Sequence, residues 1–462
     1  MSTTSEGGAA AAQVFAPRLS TLLSLAWPIV VARSTQAFVS VTDAYMTSPL
    51  GQDSLAAVTT GALDLMLFVM LPMGTVFILQ SYTSQLRGRG DLSGARRFAG
   101  YGLLISLGAG LLAAAASPFI ETVLGWLDYS PAVCTLMADY LRIRLLSITA
   151  IVGVEAFGNW YGGLGNTRIS LVAGVTTMLA NIVGNYALIE PRFGLPGYGV
   201  AGAAWASTGA SWLAFAIVGL MYSRGIGHDL PPGRMSFRAE EFRNVLRFGL
   251  PSGCNWLLEF GAFAVFINVV VASLGTTVLA AFNVVLSINM VSFMPAFGAA
   301  SAGAILVGES IGAKRFEHVP TAVRLTLIST CVWMAVIGAA YMIFPQPLIG
   351  MFASNDADSD ALVRAGAVML GLCGLWQLFD AAAMTYAEAL RAAGDTSWPM
   401  MARLLLAWGL FIPSASAAVF SFGGGIGAIM ACLIGYLALL GLLLWLRFRS
   451  GRWRTIELVR GG

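Results

Sequence analysis

Long apolar segments follow one another along the whole of this chain, and they constrain its fold more than any other feature. Hydrophobic residues make up 57% of the 462 positions and charged residues only 11%, against about 25% charged residues in a typical soluble domain. A membrane-spanning helix needs about 20 mostly apolar residues. We therefore predict an all-α polytopic membrane protein with twelve transmembrane helices. The predicted spans are 19–48, 54–84, 98–122, 132–162, 168–190, 198–223, 244–273, 278–308, 321–350, 361–391, 398–420 and 425–447.

The basic residues predict the orientation, since positively charged loops remain in the cytoplasm. With the N-terminus placed inside, alternate loops and the two termini receive 21 of the 26 Lys and Arg residues. This count includes Arg391 and Arg403, which lie toward the cytoplasmic ends of the predicted spans 361–391 and 398–420. The first residues lack the basic and apolar regions of a signal peptide. We expect both termini to be cytoplasmic, and the arginines to be topology signals rather than a nucleic-acid surface.

The second half of the chain repeats the pattern of the first, with an offset of roughly 225 residues. "LGQDSLAAV" (50–58) returns as "LGTTVLAAF" (274–282), and each is followed by a proline inside the next span, Pro72 and Pro295. Six spans per half give parallel repeats, an arrangement typical of alternating-access carriers. The predicted organisation is an N-terminal tail (1–18), an N-terminal lobe (19–223), a cytoplasmic linker (224–243), a C-terminal lobe (244–448) and a C-terminal tail (449–462).

Two acidic residues lie deep inside predicted spans of the second half. Glu259 is about 15 residues from the start of its span and Asp380 about 12 residues from the end of its span, which are comparable depths at 1.5 Å per residue. A charged side chain costs about 2.5 kcal/mol or more at the bilayer centre, so an embedded carboxylate is a functional hypothesis by default. Two neighbouring carboxylates can bind Na⁺ through oxygen ligands or share a proton.

Further ionisable residues lie inside the predicted spans of the first half. Asp43 is the stronger site candidate, and Asp64 is either a cavity residue or a polar contact near the interface. Arg33 and Glu155 are potential partners of each other or of Asp43, and the sequence does not decide between these pairings.

Embedded amides and aromatic side chains supply the remaining candidates for a substrate cavity. Asn181 and Asn185 are four residues apart and share one helix face. Aromatic rings beside the carboxylates suit flat organic cations, although ordinary packing explains aromatic and amide side chains equally well. The other cavity candidates are Trp256, Phe260, Asn283, Trp376 and Tyr386.

Three motifs carry the embedded acids and their surroundings: "VTDAYM…LGQDSLAAV", "GLPSGCNWLLEF" and "FDAAAMTYAEALRAAGDT". With these motifs the chain resembles the multidrug and toxic compound extrusion (MATE) family, specifically its NorM-type bacterial branch. The resemblance implies two six-helix lobes around a V-shaped cavity and efflux of cationic drugs from the bacterial inner membrane. It also implies cation binding by Glu259 and Asp380, and proton or substrate handling by Asp43. Trp376 replaces a tyrosine common in NorM-type proteins, so the choice between Na⁺ and H⁺ stays open.

The expected function is therefore a secondary active antiporter, without a cofactor, in which organic cations exchange for Na⁺ or H⁺. The alternative is a flippase for a lipid-linked oligosaccharide or another amphipathic substrate, which needs cationic cavity residues. A membrane enzyme is disfavoured, because the two histidines and five cysteines form no catalytic or metal-binding pattern. We expect a monomer whose partners are small organic cations and the lipid bilayer.

Overall fold

The computed structural model describes residues 17–125, 130–230, 236–352 and 359–459, and helix is the only regular secondary structure in these ranges. Asp128 and parts of the predicted tails and linker lie outside them. The α-helices are α1 (Leu19–Thr47), α2 (Gln52–Val76), α3 (Ile78–Arg89), α4 (Leu92–Ala116), α5 (Ile120–Leu124), α6 (Pro131–Leu145), α7 (Ile148–Gly163), α8 (Arg168–Leu188), α9 (Gly199–Ser223), α10 (Ala239–Val265), α11 (Thr276–Gly312), α12 (Val319–Ile343), α13 (Pro345–Gly350), α14 (Ser359–Ala392), α15 (Ser397–Arg403), α16 (Ile412–Phe420) and α17 (Ile426–Arg449).

Short irregular helical turns join several of these helices into longer segments. A π-helix, Phe266–Val271, extends α10, and a second one, Leu404–Phe411, joins α15 to α16. In the described ranges, eleven helical segments are long and apolar enough to cross a membrane. The remaining predicted span, 132–162, is divided between α6 and α7, and Arg144 donates to Ser147 at the break. The predicted all-α polytopic membrane fold is confirmed.

Two large apolar clusters form the interior, one in each half of the chain. The first is built mainly from α2 to α9 and the second mainly from α10 to α17. Each half also lends residues to the other cluster: Leu22 and Ile29 of α1 pack in the second, and Val245 of α10 packs in the first. Helix α1 accordingly contacts α11, and α10 contacts α2. The two halves are therefore joined by reciprocal contacts of their first helices.

The halves pack closely where α3 crosses α11. Residues 74–86 and 300–308 are buried without exception. Small residues allow this approach: a methyl group on Gly308 would collide with the side chain of Ser84, and one on Gly312 with the carbonyl of Gln85. Close backbone approach at glycine is a common basis of helix association in membranes. We call this end of the bundle, which carries Arg87 and Arg89, the arginine-rich end.

Polar contacts reinforce the same crossing. Gln80 Nε2 donates to Ser301 Oγ at 3.1 Å, and Gln85 Nε2 donates to the carbonyl of Ala392 at 2.8 Å. The described part of the C-terminal segment also lies over this end, where Arg89 Nη2 donates to the carbonyl of Val459 at 2.5 Å. These bonds join elements from opposite halves of the chain.

The start of α10 is held against the first half by an ion pair just outside the predicted spans. Arg97 Nε and Nη2 each donate to a carboxylate oxygen of Glu241 at 2.8 Å, and the Tyr101 hydroxyl donates to Glu241 at 2.8 Å. Burial raises the pKa of the Glu241 carboxyl, but the bonds from Arg97 and Tyr101 lower it by more, so that the pKa lies below its ordinary value. This contact fixes the end of the linker to α4.

We predict that Gly308→Ala destabilises the protein, whereas Gly219→Ala does not. The added methyl group at Gly308 meets Ser84 across the halves, while at Gly219 no atom lies within 4 Å. Overpacking typically costs about 1–3 kcal/mol, whereas alanine in place of a helical glycine with free space around it gains up to about 1 kcal/mol. Thermal unfolding of the purified variants in detergent measures the difference. Equal melting temperatures would show that α3 and α11 do not pack closely.

Candidate functional site

A closed polar cluster surrounds Asp43 inside the first half. Its Oδ1 accepts hydrogen bonds from Asn185 Nδ2 at 2.6 Å and Asn181 Nδ2 at 2.9 Å, and its Oδ2 accepts one from Ser207 Oγ at 3.0 Å. None of the four residues is more than 9% exposed. Asn181 and Asn185 therefore share a helix face, as predicted, and this face contacts Asp43. Ser207, on α9, was not predicted, because small polar residues are frequent along that helix and give no distinct signal.

Arg33 and Glu155 form a two-pronged ion pair between α1 and α7. Arg33 Nη1 and Nη2 lie 2.7 and 2.8 Å from the two carboxylate oxygens, and Gln36 Nε2 donates to the same carboxylate at 3.4 Å. Bidentate pairs of this kind combine strength with fixed geometry. The structure thus assigns the pairing that the sequence left open: Glu155, not Asp43, is the partner of Arg33.

An aromatic cluster lies between the halves beside this ion pair. Phe77, at the junction of α2 and α3, lies 4.9 Å from Trp256 of α10 and 6.1 Å from Phe297 of α11, measured between ring centroids. The Arg33 guanidinium is 5.4 Å from the Phe77 ring and 5.7 Å from the Phe297 ring, distances within the range of cation–π attraction. Trp256, a predicted cavity residue, therefore contributes to a contact between the halves.

The two predicted acids of the second half belong to a cluster with a third charged residue. Glu259 of α10 forms an ion pair with Arg403 at the end of α15. The Glu259 side chain is 41% exposed and that of Arg403 only 8%. Asp380 of α14 is half-buried and interacts electrostatically with both of them. Arg403, counted in the sequence as a basic residue of the cytoplasmic side, has a side chain that reaches into the bundle and pairs with the embedded acid.

The π-helix after Arg403 places α15 against α10 at the level of Glu259. Trp408, within this π-helix, donates from Nε1 to the carbonyl of Leu258 at 3.1 Å, and a Cβ added at Gly261 would lie 3.3 Å from its ring. Single π-helical segments are frequently found at functional sites. The hydroxyl of Tyr436 on α17 interacts electrostatically with Arg403, Glu259 and Asp380. Sequence analysis missed Tyr436 because aromatic residues are common in apolar helices.

Arg391, at the end of predicted span 361–391, is a buried link between the halves. It forms a local ion pair with Glu388, three residues earlier on α14. The guanidinium also donates to the Phe77 carbonyl at 2.7 Å and to Gln80 Oε1 at 2.6 Å, both in the first half. Five bonds to four partners, two of them on α3, fix this side chain in place.

The other predicted cavity residues are scattered. Trp376 and Tyr386 pack in the apolar core of the second half, so they do not border the space between the halves. Asp64 is half-buried and makes no hydrogen bond or ion pair with any residue in the described ranges. Phe260 is half-buried and Asn283 is exposed.

A second amide cluster lies in the core of the second half. Asn289 Oδ1 accepts a hydrogen bond from Gln377 Nε2 at 2.7 Å and one from Ser292 Oγ at 3.2 Å. All three side chains are buried. This cluster joins α11 to α14 within one half, and we interpret it as packing.

The fold and these clusters define a class: a polytopic helical membrane protein made of two repeated halves, each with a polar cluster around embedded carboxylates. The profile of the MatE family matches residues 28–187 and 251–416. The chain belongs to the MatE family. The resemblance predicted from the three motifs is thereby confirmed.

Individual relatives extend over nearly the whole chain. A probable multidrug resistance protein NorM of Rhizobium meliloti is 27% identical, over 92% of each chain. That of Deinococcus radiodurans is 28% identical, over 95% of this chain and 98% of its own. The multidrug resistance protein PmpM of Pseudomonas aeruginosa is 26% identical, over 86% of this chain and 83% of its own.

Solved structures share the fold at lower sequence identity. A MOP superfamily transporter from Pyrococcus furiosus, described as having a binding pocket of reverse polarity, superposes with a TM-score of 0.87 at 20% identity, over 97% of this chain and 99% of its own. An outward-facing multidrug resistance MATE transporter also superposes with a TM-score of 0.87 at 20% identity, over 97% of this chain and 99% of its own.

We predict that removal of one partner of the Arg33–Glu155 pair is more destabilising than removal of both. Their side chains are 13% and 11% exposed, and breaking a buried pair costs about 3–5 kcal/mol because one charge stays uncompensated. Glu155→Leu should therefore lower the melting temperature strongly, and Arg33→Met in the same chain should recover most of the loss.

The surface pair Arg192–Glu190 provides the matched control for this cycle. Arg192 Nη2 lies 2.6 Å from Glu190 Oε2, but the two side chains are 34% and 41% exposed. Glu190→Leu should therefore change the free energy of unfolding by less than about 1 kcal/mol. A double variant no more stable than Glu155→Leu alone would contradict the pairing of Arg33 with Glu155.

Proposed function

We propose that this protein is a secondary active antiporter of a bacterial inner membrane, exporting small organic cations in exchange for Na⁺ or H⁺. Membership in the MatE family and relatives named for multidrug resistance support this function. The observation that carries it is the pair of embedded acids Glu259 and Asp380 beside the contact between the halves. Such acids are expensive in a membrane and mark ion pathways.

The burial pattern along α2, α3 and α11 supports alternating access. Residues 74–86 and 300–308 are buried on all faces, whereas burial alternates along residues 54–70 and 278–295 of the same segments. The halves are therefore in close contact at the arginine-rich end, and fewer residues of these segments are buried toward the other end. Transport requires the opposite arrangement as well, in which these contacts break.

The cluster around Glu259 offers oxygen ligands for either coupling ion. The two carboxylates are hard ligands of the kind that Na⁺ takes, and the Tyr436 hydroxyl has no hydrogen-bond partner within the described residues. Trp376 stands where many NorM-type proteins have a tyrosine, and Tyr436 supplies a phenol from a different helix. The same two acids suit proton sharing. An ion acts as a driving force only when it binds the two conformations unequally.

We place both termini in the cytoplasm and propose that the protein functions as a monomer. Without Arg391 and Arg403, which pair inside the bundle, 19 of the 26 basic residues still lie on the predicted cytoplasmic side. The flippase alternative is not favoured, because Arg33, Arg391 and Arg403 each have a carboxylate partner. Their charge is thus already balanced and not free for a pyrophosphate group.

We predict that Glu259→Gln and Asp380→Asn each abolish ion-coupled transport, and that the double variant is no worse than either. Residues that act as one unit have non-additive effects. The measurement is ethidium transport in proteoliposomes, with Na⁺ and pH gradients imposed separately. Glu190→Gln, at an exposed ion pair, is the charge-matched control and should transport normally. Coupled transport by either single variant at near wild-type rate would exclude the proposed ion site.

We also predict that Asp43→Asn impairs ethidium transport while the protein folds normally. An amide is nearly isosteric with the carboxylate, but its nitrogen is a donor. The amide therefore cannot accept all of the hydrogen bonds that Asn181, Asn185 and Ser207 donate to the two carboxylate oxygens. Ser207→Ala removes one donor and leaves the carboxylate, so it should retain most of the transport. Initial rates in proteoliposomes and melting temperatures in detergent separate the two effects. A wild-type rate for Asp43→Asn would remove the first half from the mechanism.

A further inference from the structure

We propose that Arg403 is a built-in counter-cation of the Glu259–Asp380 site, which limits the site to the uptake of a single positive charge. The proposal rests on the proposed ion coupling and adds what sets the capacity of the site. It identifies a residue that determines specificity between monovalent and divalent cations.

The first argument is the position of Arg403. Its side chain is 8% exposed and forms an ion pair with Glu259, the more accessible partner at 41% exposed. Asp380 interacts electrostatically with both residues. The π-helix Leu404–Phe411 and the bond from Trp408 to the Leu258 carbonyl hold this part of the chain against α10. Arg403 therefore belongs to the site and not to the cytoplasmic surface.

The second argument is the contrast with the other embedded arginines. Arg33 is held by two short bonds to Glu155, and Arg391 is held by partners on two helices. Arg403 pairs with Glu259 through Nη1 and interacts electrostatically with Asp380 and Tyr436, while its buried Nε has no hydrogen-bond partner in the part of the chain that the structure describes. Its interaction with the site is thus mainly one of charge, without a network that fixes its position.

The third argument is the charge balance of the cluster. A guanidinium remains protonated in proteins, so with both acids ionised the three side chains carry one net negative charge. One proton or one monovalent cation neutralises the cluster. A divalent cation would leave a buried excess of positive charge beside the guanidinium, which is unfavourable at low dielectric. Without the guanidinium, the two carboxylates carry two negative charges and suit a divalent cation with oxygen ligands.

Binding of Ca²⁺ to the purified protein in detergent, measured by titration calorimetry, tests the proposal. Arg403→Gln should bind Ca²⁺ at least roughly tenfold more tightly than the wild type, since the repelling charge is gone. Arg403→Lys keeps the charge and should bind as weakly as the wild type. Arg403→Gln combined with Glu259→Gln restores one net negative charge and should lose the gain. Arg192→Gln is the control for loss of an arginine outside the site.

Several outcomes overturn the proposal. It is rejected if folded Arg403→Gln binds Ca²⁺ with the affinity of the wild type, or if Arg403→Lys shows the same gain as Arg403→Gln. If Arg403→Gln does not fold but the double variant does, the rescue supports the charge pairing. If neither folds while Glu259→Gln folds, Arg403 serves folding through other contacts and the proposal fails.

The binding measurement is independent of transport, so it separates this inference from the proposed function. If Arg403→Gln binds Ca²⁺ more tightly but the wild type shows no ion-coupled ethidium transport, the role of Arg403 as counter-cation is supported and the antiporter is rejected. Ion-coupled transport by the wild type without any gain in Ca²⁺ affinity in Arg403→Gln would support the antiporter and reject the role of Arg403 as counter-cation.

Discussion

The cost of a charge inside a membrane governs the polar interior of this protein. An uncompensated charge in hydrocarbon is expensive, and buried charges persist when partners surround them. Arg33 pairs with Glu155, Arg391 with Glu388 and Arg403 with Glu259, while Asp43 accepts three hydrogen bonds from neutral donors. Each of these contacts joins particular helices or orders one helix end, so the charge requirement also fixes how the helices assemble. A change in any partner at such a site is therefore a change in the balance between conformations.

Contacts between the halves combine this charge requirement with close packing of small residues. Gly308 and Gly312 of α11 face Ser84 and Gln85 of α3 without room for a methyl group, and Arg391 lies directly beside them on Phe77 and Gln80. Packed contacts of this type have discrete arrangements and do not deform continuously. The arginine-rich end is thus suited to be either closed or open, which is the behaviour that alternating access requires.

The sequence predicted the helical spans and pointed to embedded ionisable residues, but it did not predict which of these residues pair. Hydropathy identifies spans because a backbone in lipid must form its hydrogen bonds within its own helix. The four-residue spacing of Asn181 and Asn185 predicts that they share a helix face. Arg33 and Glu155, by contrast, are 122 positions apart, and no periodicity reports such a contact. The pairing of Arg403 with Glu259 was not predicted either, because the two residues are far apart in the sequence and an arginine near the beginning of a span is a common topology signal.

The two halves use equivalent helices for different chemistry. Gln36 and Glu259 each stand eight residues after the equivalent prolines Pro28 and Pro251. In the first half this position supports a balanced Arg33–Glu155 pair with a neutral amide, so the charge there is fully compensated. In the second half it is an acid, half exposed and paired with the buried Arg403. The balanced Arg33–Glu155 pair has no net charge to neutralise, whereas two ionised acids and one guanidinium leave one surplus negative charge. We therefore infer different roles for the two halves: the pair of the first half is a fixed structural contact, and the corresponding level of the second half is the proposed ion site.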